Sequence, residues 1–116
     1  MKMYALQSRF LFALAKLIFY AHEQGYDVTL GRGRVDKETN ARQGGIPDSL
    51  HLDGLAQDLN FFKNGVWLKK TEDLTIFGEW WEAQGKDYKW GGRFKDKSGK
   101  PKPDGTHFSY SIGGRA

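Results

Sequence analysis

The sequence predicts a small α+β domain, an antiparallel sheet with flanking helices, and three observations carry that prediction. An apolar stripe at three- and four-residue spacing opens the chain. An Asn-Gly pair lies between two runs of β-formers, and the last segment alternates polar and apolar residues. At 116 residues the chain makes one domain, residues 1–116, able to bury a modest core. A hydrophobic content of 39% and an aromatic content of 15% supply that core and exclude a disordered tail.

Leu6, Phe10, Ala13, Leu14, Leu17, Ile18 and Ala21 predict a helix over residues 4–24, with Arg9, Lys16 and Glu23 off the stripe and Gly25 as its stop. The apolar run 10–21 behind Lys2 hints at a secretory leader. Arg9 and Lys16 break it, however, and no small-residue cleavage site follows. It is also too short and too charged to span a bilayer, so an amphipathic helix packed on the core is the expectation. Residues 26–30 form a short strand ended by Gly31-Arg32-Gly33. Residues 35–50 form a polar loop with a turn of helix near 38–42. A strand over 55–62, the Asn64-Gly65 turn and a returning strand over 66–68 make a hairpin. A second helix follows, capped by Thr71 or Asp73 and ended by Gly85, with Leu74, Phe77 and Trp81 on one face. Residues 86–106 are rich in Gly, Lys and Pro and are expected to be loop. Residues 107–112 form the last strand, with His107, Ser109 and Ser111 on one face. The four tryptophans are expected in the core and the walls of a cleft rather than as a stacking platform.

A formal charge of +4 implies weak attraction to anionic partners without choosing among nucleic acid, anionic lipid and acidic wall polymers. With no cysteine, disulfides and thiolate zinc sites are excluded. A metal site must then use His, Asp or Glu, and the only histidines are His22, His51 and His107.

The segment Ser49-Leu50-His51-Leu52-Asp53-Gly54-Leu55-Ala56-Gln57-Asp58 holds a His and an Asp seven residues apart. On a straight strand they would lie roughly 23 Å apart on opposite faces, at about 3.3 Å per residue. A bend at Gly54 would let them share one ion. Asp58 would then point with Asn60 and Phe62 to one sheet face, and His107, at the start of another strand, would bring its ring beside Asp58. Two imidazoles and a carboxylate make a three-ligand zinc set with one position open for water. Asp104, three residues before His107 and next to Gly105, is the expected general base. Arg34 and Arg32 are candidates for holding a substrate carboxylate or a developing oxyanion. Plainer readings compete: His51 as a surface loop residue, Asp104 as a turn residue, His107 as a half-buried structural histidine. Asp58 is harder to set aside, because a charge inside an apolar strand has a partner. His22 suits the C-terminal end of the first helix and needs no site role.

At these residues the chain resembles the M15 peptidases, the family of D-Ala-D-Ala carboxypeptidases and phage L-alanyl-D-glutamate endopeptidases. Ser49, His51, Gly54, Ala56 and Asp58 match every fixed position of the family's Ser-x-His-x-x-Gly-x-Ala-x-Asp motif, and Asp104 and His107 match its acid three before a final His. Phe77-Gly78-Glu79-Trp80-Trp81-Glu82, Trp90-Gly91-Gly92-Arg93-Phe94 and His107-Phe108-Ser109 resemble the compact phage-type members. The resemblance implies a Hedgehog/DD-peptidase-like fold, zinc on His51, Asp58 and His107, Asp104 as catalytic acid/base, and a family arginine for which Arg34 and Arg32 compete here, with Arg34 favoured. It implies a monomer that hydrolyses bacterial peptidoglycan stem peptides as a phage lysin, made in the host cytoplasm without a signal peptide and acting on the wall. Neither a nucleic-acid partner nor membrane insertion is expected. A D-Ala-D-Ala carboxypeptidase and a catalytically inactive wall- or nucleic-acid-binding module are the alternatives. The segment 95–103 is longer and more basic than in the shortest members, which bears on substrate preference rather than on the metal site.

Overall fold

A computed structural model describes residues 1–116. Its first element is helix α1, Met3–Glu23, which buries Phe10, Ala13, Leu14, Leu17 and Ala21 along the predicted stripe. Gly25 follows the helix at φ 88° and donates its N–H to the His22 carbonyl, as the expected stop requires. Strand β1 is Asp27–Leu30, and a short helix α2, Lys37–Arg42, is capped by the Asp36 carboxylate accepting from Thr39 N–H.

Strand β2, Ala56–Lys63, is the centre of the fold. It pairs antiparallel with β1 through Leu59–Phe62 and, through Ala56–Asp58, with the last strand, β5, His107–Tyr110. At its far end β2 turns through Asn64 and Gly65, both at positive φ, into the two-residue strand β3, Val66–Trp67. A three-residue strand β4, Tyr88–Trp90, flanks β5, giving the order β1-β2-β5-β4.

The second helix differs from expectation at its start. Thr71–Leu74 is a 3-10 turn and the α-helix α3 runs Thr75–Glu82, with no side-chain cap from Thr71 or Asp73. The chain enters α3 directly from that turn, which takes the place of a cap in satisfying its first N–H groups. The segment 86–106 was expected to be loop throughout. It instead holds β4, a 3-10 turn at Gly91–Arg93 and a bridge between Lys95 and Pro101. β4 is edge strand built from three residues, too short for periodicity to reveal. The polar-apolar alternation of β5 also misleads on exposure, because all four of its residues are buried. Phe108 and Tyr110 join the core, while His107 and Ser109, also buried, lie on the opposite face of the strand.

The core lies between the sheet and the α1/α3 layer. Leu74, Phe77 and Trp81 are fully buried on the predicted face of α3. Phe77 stacks on Phe61 of β2 with ring centroids 4.2 Å apart, and Trp81 meets Phe10, Tyr88 and Phe108 edge to face. Such pairs contribute about 0.5–1.5 kcal/mol each beyond their burial. The two buried tryptophans also hold backbone. Trp81 Nε1 donates to the Ser109 carbonyl at 3.0 Å and Trp90 Nε1 to the Gly105 carbonyl at 2.8 Å. Trp81 and Trp90 are therefore core, and both brace the strand that carries His107. Trp80 is half-buried, whereas Trp67 lies exposed against Phe62 at the hairpin, away from core and cleft alike.

Candidate metal centre

Residues 49–54 bend as the sequence requires. Leu50–Asp53 is a 3-10 turn whose Ser49 Oγ accepts from His51 N–H, and Gly54 closes it in the left-handed region at φ 67°. A side chain is strained there, so glycine lets the chain double back. The Leu55 N–H then reaches the Leu50 carbonyl at 3.0 Å and β2 begins. The turn points the His51 ring at the β2 residue seven positions later.

His51 and His107 are almost fully buried, with 2% and 6% of their surface exposed, so neither plain reading as a surface or half-exposed histidine describes them. His107 stands opposite Asp58 in the β2/β5 register, which fixes both side chains on one face. The Asp58 Oδ1 lies 3.3 Å from His51 Nε2 and 3.5 Å from His107 Nδ1. The three donor atoms all lie within 4.8 Å of one another. His22 is exposed at the end of α1, remote from this group by position, and has no partner in it.

The donor chemistry of this trio fits a cation. His51 Nδ1 is 2.9 Å from the Gly33 carbonyl, an acceptor only, so Nδ1 carries the proton. In a neutral ring Nε2 is then a lone pair, and it faces a carboxylate. Asp58 Oδ1 is itself buried with no hydrogen-bond partner. A tetrahedral ion with bonds of about 2.0–2.1 Å separates neighbouring ligand atoms by about 3.3 Å, close to the two spacings seen here. Fixing the second nitrogen of a ligating histidine on a backbone carbonyl is the usual way its tautomer is set. Burial pushes the Asp58 carboxyl up, and the facing His107 and His51 rings pull it down to about 2 when they present protons to it, a place that a bound cation would take.

A bulge seats Asp58. Gly31 N–H donates to its carbonyl at 2.8 Å and its own N–H donates to the Arg32 carbonyl at 2.7 Å, so two residues of the β1 extension oppose one of β2. The same detour carries Gly33 under His51.

Asp104 lies at the head of the turn into β5, with its carbonyl accepting from His107 N–H at 3.1 Å and its carboxylate from Thr106 Oγ1 at 3.3 Å. Crowding by surrounding protein and then the nearby Asp58 charge push its carboxyl upward, although solvent reaches the residue and tempers both. Asp104 thus stands near enough to feel the Asp58 charge while its carboxyl remains open to solvent. Gly91 makes this turn possible. Its carbonyl accepts from Asp104 N–H at 2.8 Å, and a Cβ on it would sit 2.2 Å from the Asp104 carbonyl oxygen and 2.8 Å from His107 Cβ. The Trp-Gly-Gly segment was legible as a motif but not as the cradle of Asp104.

The two arginines separate clearly. Arg32 donates Nε to Gln43 Oε1 at 2.7 Å and Nη2 to Asn40 Oδ1, which ties it to α2. Arg34 is exposed, lies against Gly54 by the position a Cβ there would take, and has no ion pair or hydrogen bond through its guanidinium.

Arg115 had no signal in the sequence. From the far end of the chain its Nε donates to the Asp48 carbonyl at 2.9 Å and its Nη2 to the Ser49 carbonyl at 3.3 Å, and Nη2 pairs with Asp53 Oδ2 at 2.5 Å. It thus clasps both ends of the turn that aims His51. Arg115→Ala is expected to weaken metal affinity by about tenfold, the lower part of the range for outer-shell partners. Chelator competition on the folded protein measures this, and unchanged affinity would show that the turn holds its shape unaided.

Residues 42–110 match the sequence model of an M15 peptidase family described as D-alanyl-D-alanine carboxypeptidase. No curated protein matches the chain. Among solved structures, the crystal structure of Serratia marcescens L-Ala D-Glu endopeptidase ChiX superposes with a TM-score of 0.61 at 20% identity, covering 84% of this chain and 77% of that one. At that identity the likeness establishes a shared fold.

Proposed function

The chain belongs to the M15 peptidase family, and from that premise we propose that it is a zinc-dependent hydrolase of peptidoglycan stem peptides, an L-alanyl-D-glutamate endopeptidase of the phage-lysin type. The observation that carries the reading is the convergence of the His51, Asp58 and His107 donor atoms within 4.8 Å of one another, with Asp58 at 3.3 and 3.5 Å from the two rings, close to the ligand spacing of a tetrahedral ion. The endopeptidase choice is supported by the fold likeness to an L-Ala D-Glu endopeptidase, and the lysin role only by the resemblance of segments 77–82, 90–94 and 107–109 to compact phage-type members.

His51, Asp58 and His107 would hold the zinc, which when bound polarises a carbonyl and acidifies water. Asp104 takes the proton of the attacking water and returns it to the leaving amine, a task suited to a carboxyl raised above its ordinary range. The Gly33 carbonyl holds the His51 ring in one tautomer through the cycle. Arg34, with its guanidinium uncommitted, binds a substrate carboxylate, a role closed to Arg32 by its bonds to α2.

A second reading, removal of terminal D-Ala, is favoured by the description of the matching family. Digestion of purified peptidoglycan with and without a chelator, read by mass spectrometry, separates the two. New L-Ala and D-Glu ends that disappear with chelator are the expected products. Release of D-Ala alone establishes the carboxypeptidase, and no cleavage with zinc supplied overturns both.

A further inference from the structure

Helix α1 is apolar on two opposite sides. The inner side is the core stripe already described. On the outer side Tyr4, Leu11, Phe12 and Phe19 are 62–71% exposed, the largest run of exposed apolar side chains on any one element. At 100° per residue these four and Ala15 fall within an arc of about 100°, opposite Phe10, Ala13 and Leu17. Phe12, Ala15, Phe19 and half-buried Trp80 line a shallow groove with a volume near 410 Å³, together with Lys16 and a single acidic group, Glu23. An apolar helix face of this size is ordinarily covered, and no part of this chain covers the outer face.

The charges around that face indicate what covers it. Lys2, Arg9 and Lys16 are the only charged residues before Glu23, so the first 22 residues carry three cations and no anion. Arg9 and Lys16 flank the apolar arc on one side; the Lys16 ammonium lies 4.6 Å over the Phe12 ring, and the Arg9 guanidinium donates to the Tyr110 hydroxyl at 3.4 Å. Aromatic and aliphatic side chains bordered by long cationic ones are the composition of a helix lying in a lipid interface, rings among acyl chains and ammonium groups among headgroups. A second copy of the chain would set Arg9 and Lys16 near their own counterparts across a two-fold axis, and like charges there oppose pairing. No helix is long and apolar enough to cross a membrane, so the geometry is that of lying on the surface rather than spanning it.

We propose that the outer face of α1, centred on Phe12 and Phe19 and bordered by Arg9 and Lys16, docks the protein on an anionic phospholipid surface. The aromatic pair supplies the apolar contact and the cations supply selectivity for negative headgroups.

The test is co-sedimentation with vesicles of equal parts phosphatidylcholine and phosphatidylglycerol against vesicles of phosphatidylcholine alone. These vesicles contain no peptidoglycan, so the result is independent of the peptidase reading. Selective sedimentation with the anionic vesicles is expected. The double substitution Phe12→Ser with Phe19→Ser should lower partitioning by more than about tenfold. Lys16→Glu should lower it by about tenfold, and on anionic vesicles only. All three side chains face solvent, so circular dichroism and zinc titration should be unchanged in each variant. Failure to sediment with anionic vesicles overturns the proposal, as does equal sedimentation with both kinds or undiminished binding of the double variant. A dimer in light scattering that the double variant dissociates would assign the face to a second copy instead.

Discussion

His51→Ala is expected to remove zinc binding and hydrolysis together, while His22→Ala leaves both intact. His51 is buried and aimed by three independent restraints: the 3-10 turn closed by Gly54, the Ser49 hydroxyl on its N–H, and the Gly33 carbonyl on Nδ1. Removing the ring takes one of three donors from the trio. Two remaining protein donors hold a divalent ion far less tightly, so the loss of affinity should exceed the roughly 10–100-fold that removal of an outer-shell partner costs. Hydrolysis should fall in proportion at fixed free zinc. The variant should also unfold more easily without metal, because the Gly33 carbonyl loses its donor and a buried void opens; the unmet carbonyl alone costs about 1–3 kcal/mol. Metal content after dialysis and turnover on wall peptides check the first part, and denaturant melts of the metal-free proteins check the second. Zinc bound with near-native affinity in His51→Ala would overturn the ligand assignment. His22 matches the others only in residue type, being exposed at the end of α1, and is the control for nonspecific loss.

The physical reasons for what could and could not be read beforehand are visible around the same trio. His51, Asp58 and His107 were legible because each is set by a local rule: a glycine at positive φ bends the first, and strand alternation and register align the other two. The long first helix and the Asn-Gly hairpin were legible for the same reason, since their periods and turn chemistry are contained within a few residues. The features that hold the site came from contacts distant in sequence. Arg115 reaches back 66 and 67 residues to the Ser49 and Asp48 carbonyls, and no spacing pattern encodes such a contact. Trp90 and Gly91 support Asp104 from a segment read as loop, because a three-residue strand has too few residues to display a period. The choice between Arg32 and Arg34 likewise depended on where α2 folds back, which set Asn40 and Gln43 against Arg32 and left Arg34 uncommitted.

Asp104→Asn is expected to keep zinc and fold but lose hydrolysis by about 10²–10⁴-fold, the usual cost of removing a general acid/base. Asn preserves the side chain's shape and its acceptor oxygen toward Thr106, so the Gly91-braced turn and the placement of His107 should survive. Only the exchangeable proton is lost. The pH profile gives a sharper signature than the rate alone. A base acts when ionised, and the Asp104 carboxyl is raised by crowding and by the Asp58 charge. Activity should therefore fall as pH drops through the titration of that carboxyl. In the metal-free protein the carboxyl lies above the ordinary aspartate range, and the charge of a bound cation draws it back down, so the limb should lie lower with zinc bound than the titration of the metal-free protein. The residual activity of Asp104→Asn should lack this limb wherever zinc remains bound, which metal content measured at each pH establishes. Turnover near wild type in the variant would remove Asp104 from proton transfer. Loss of zinc alongside activity would instead make it a structural support of His107, and the two outcomes are separated by the same pair of measurements.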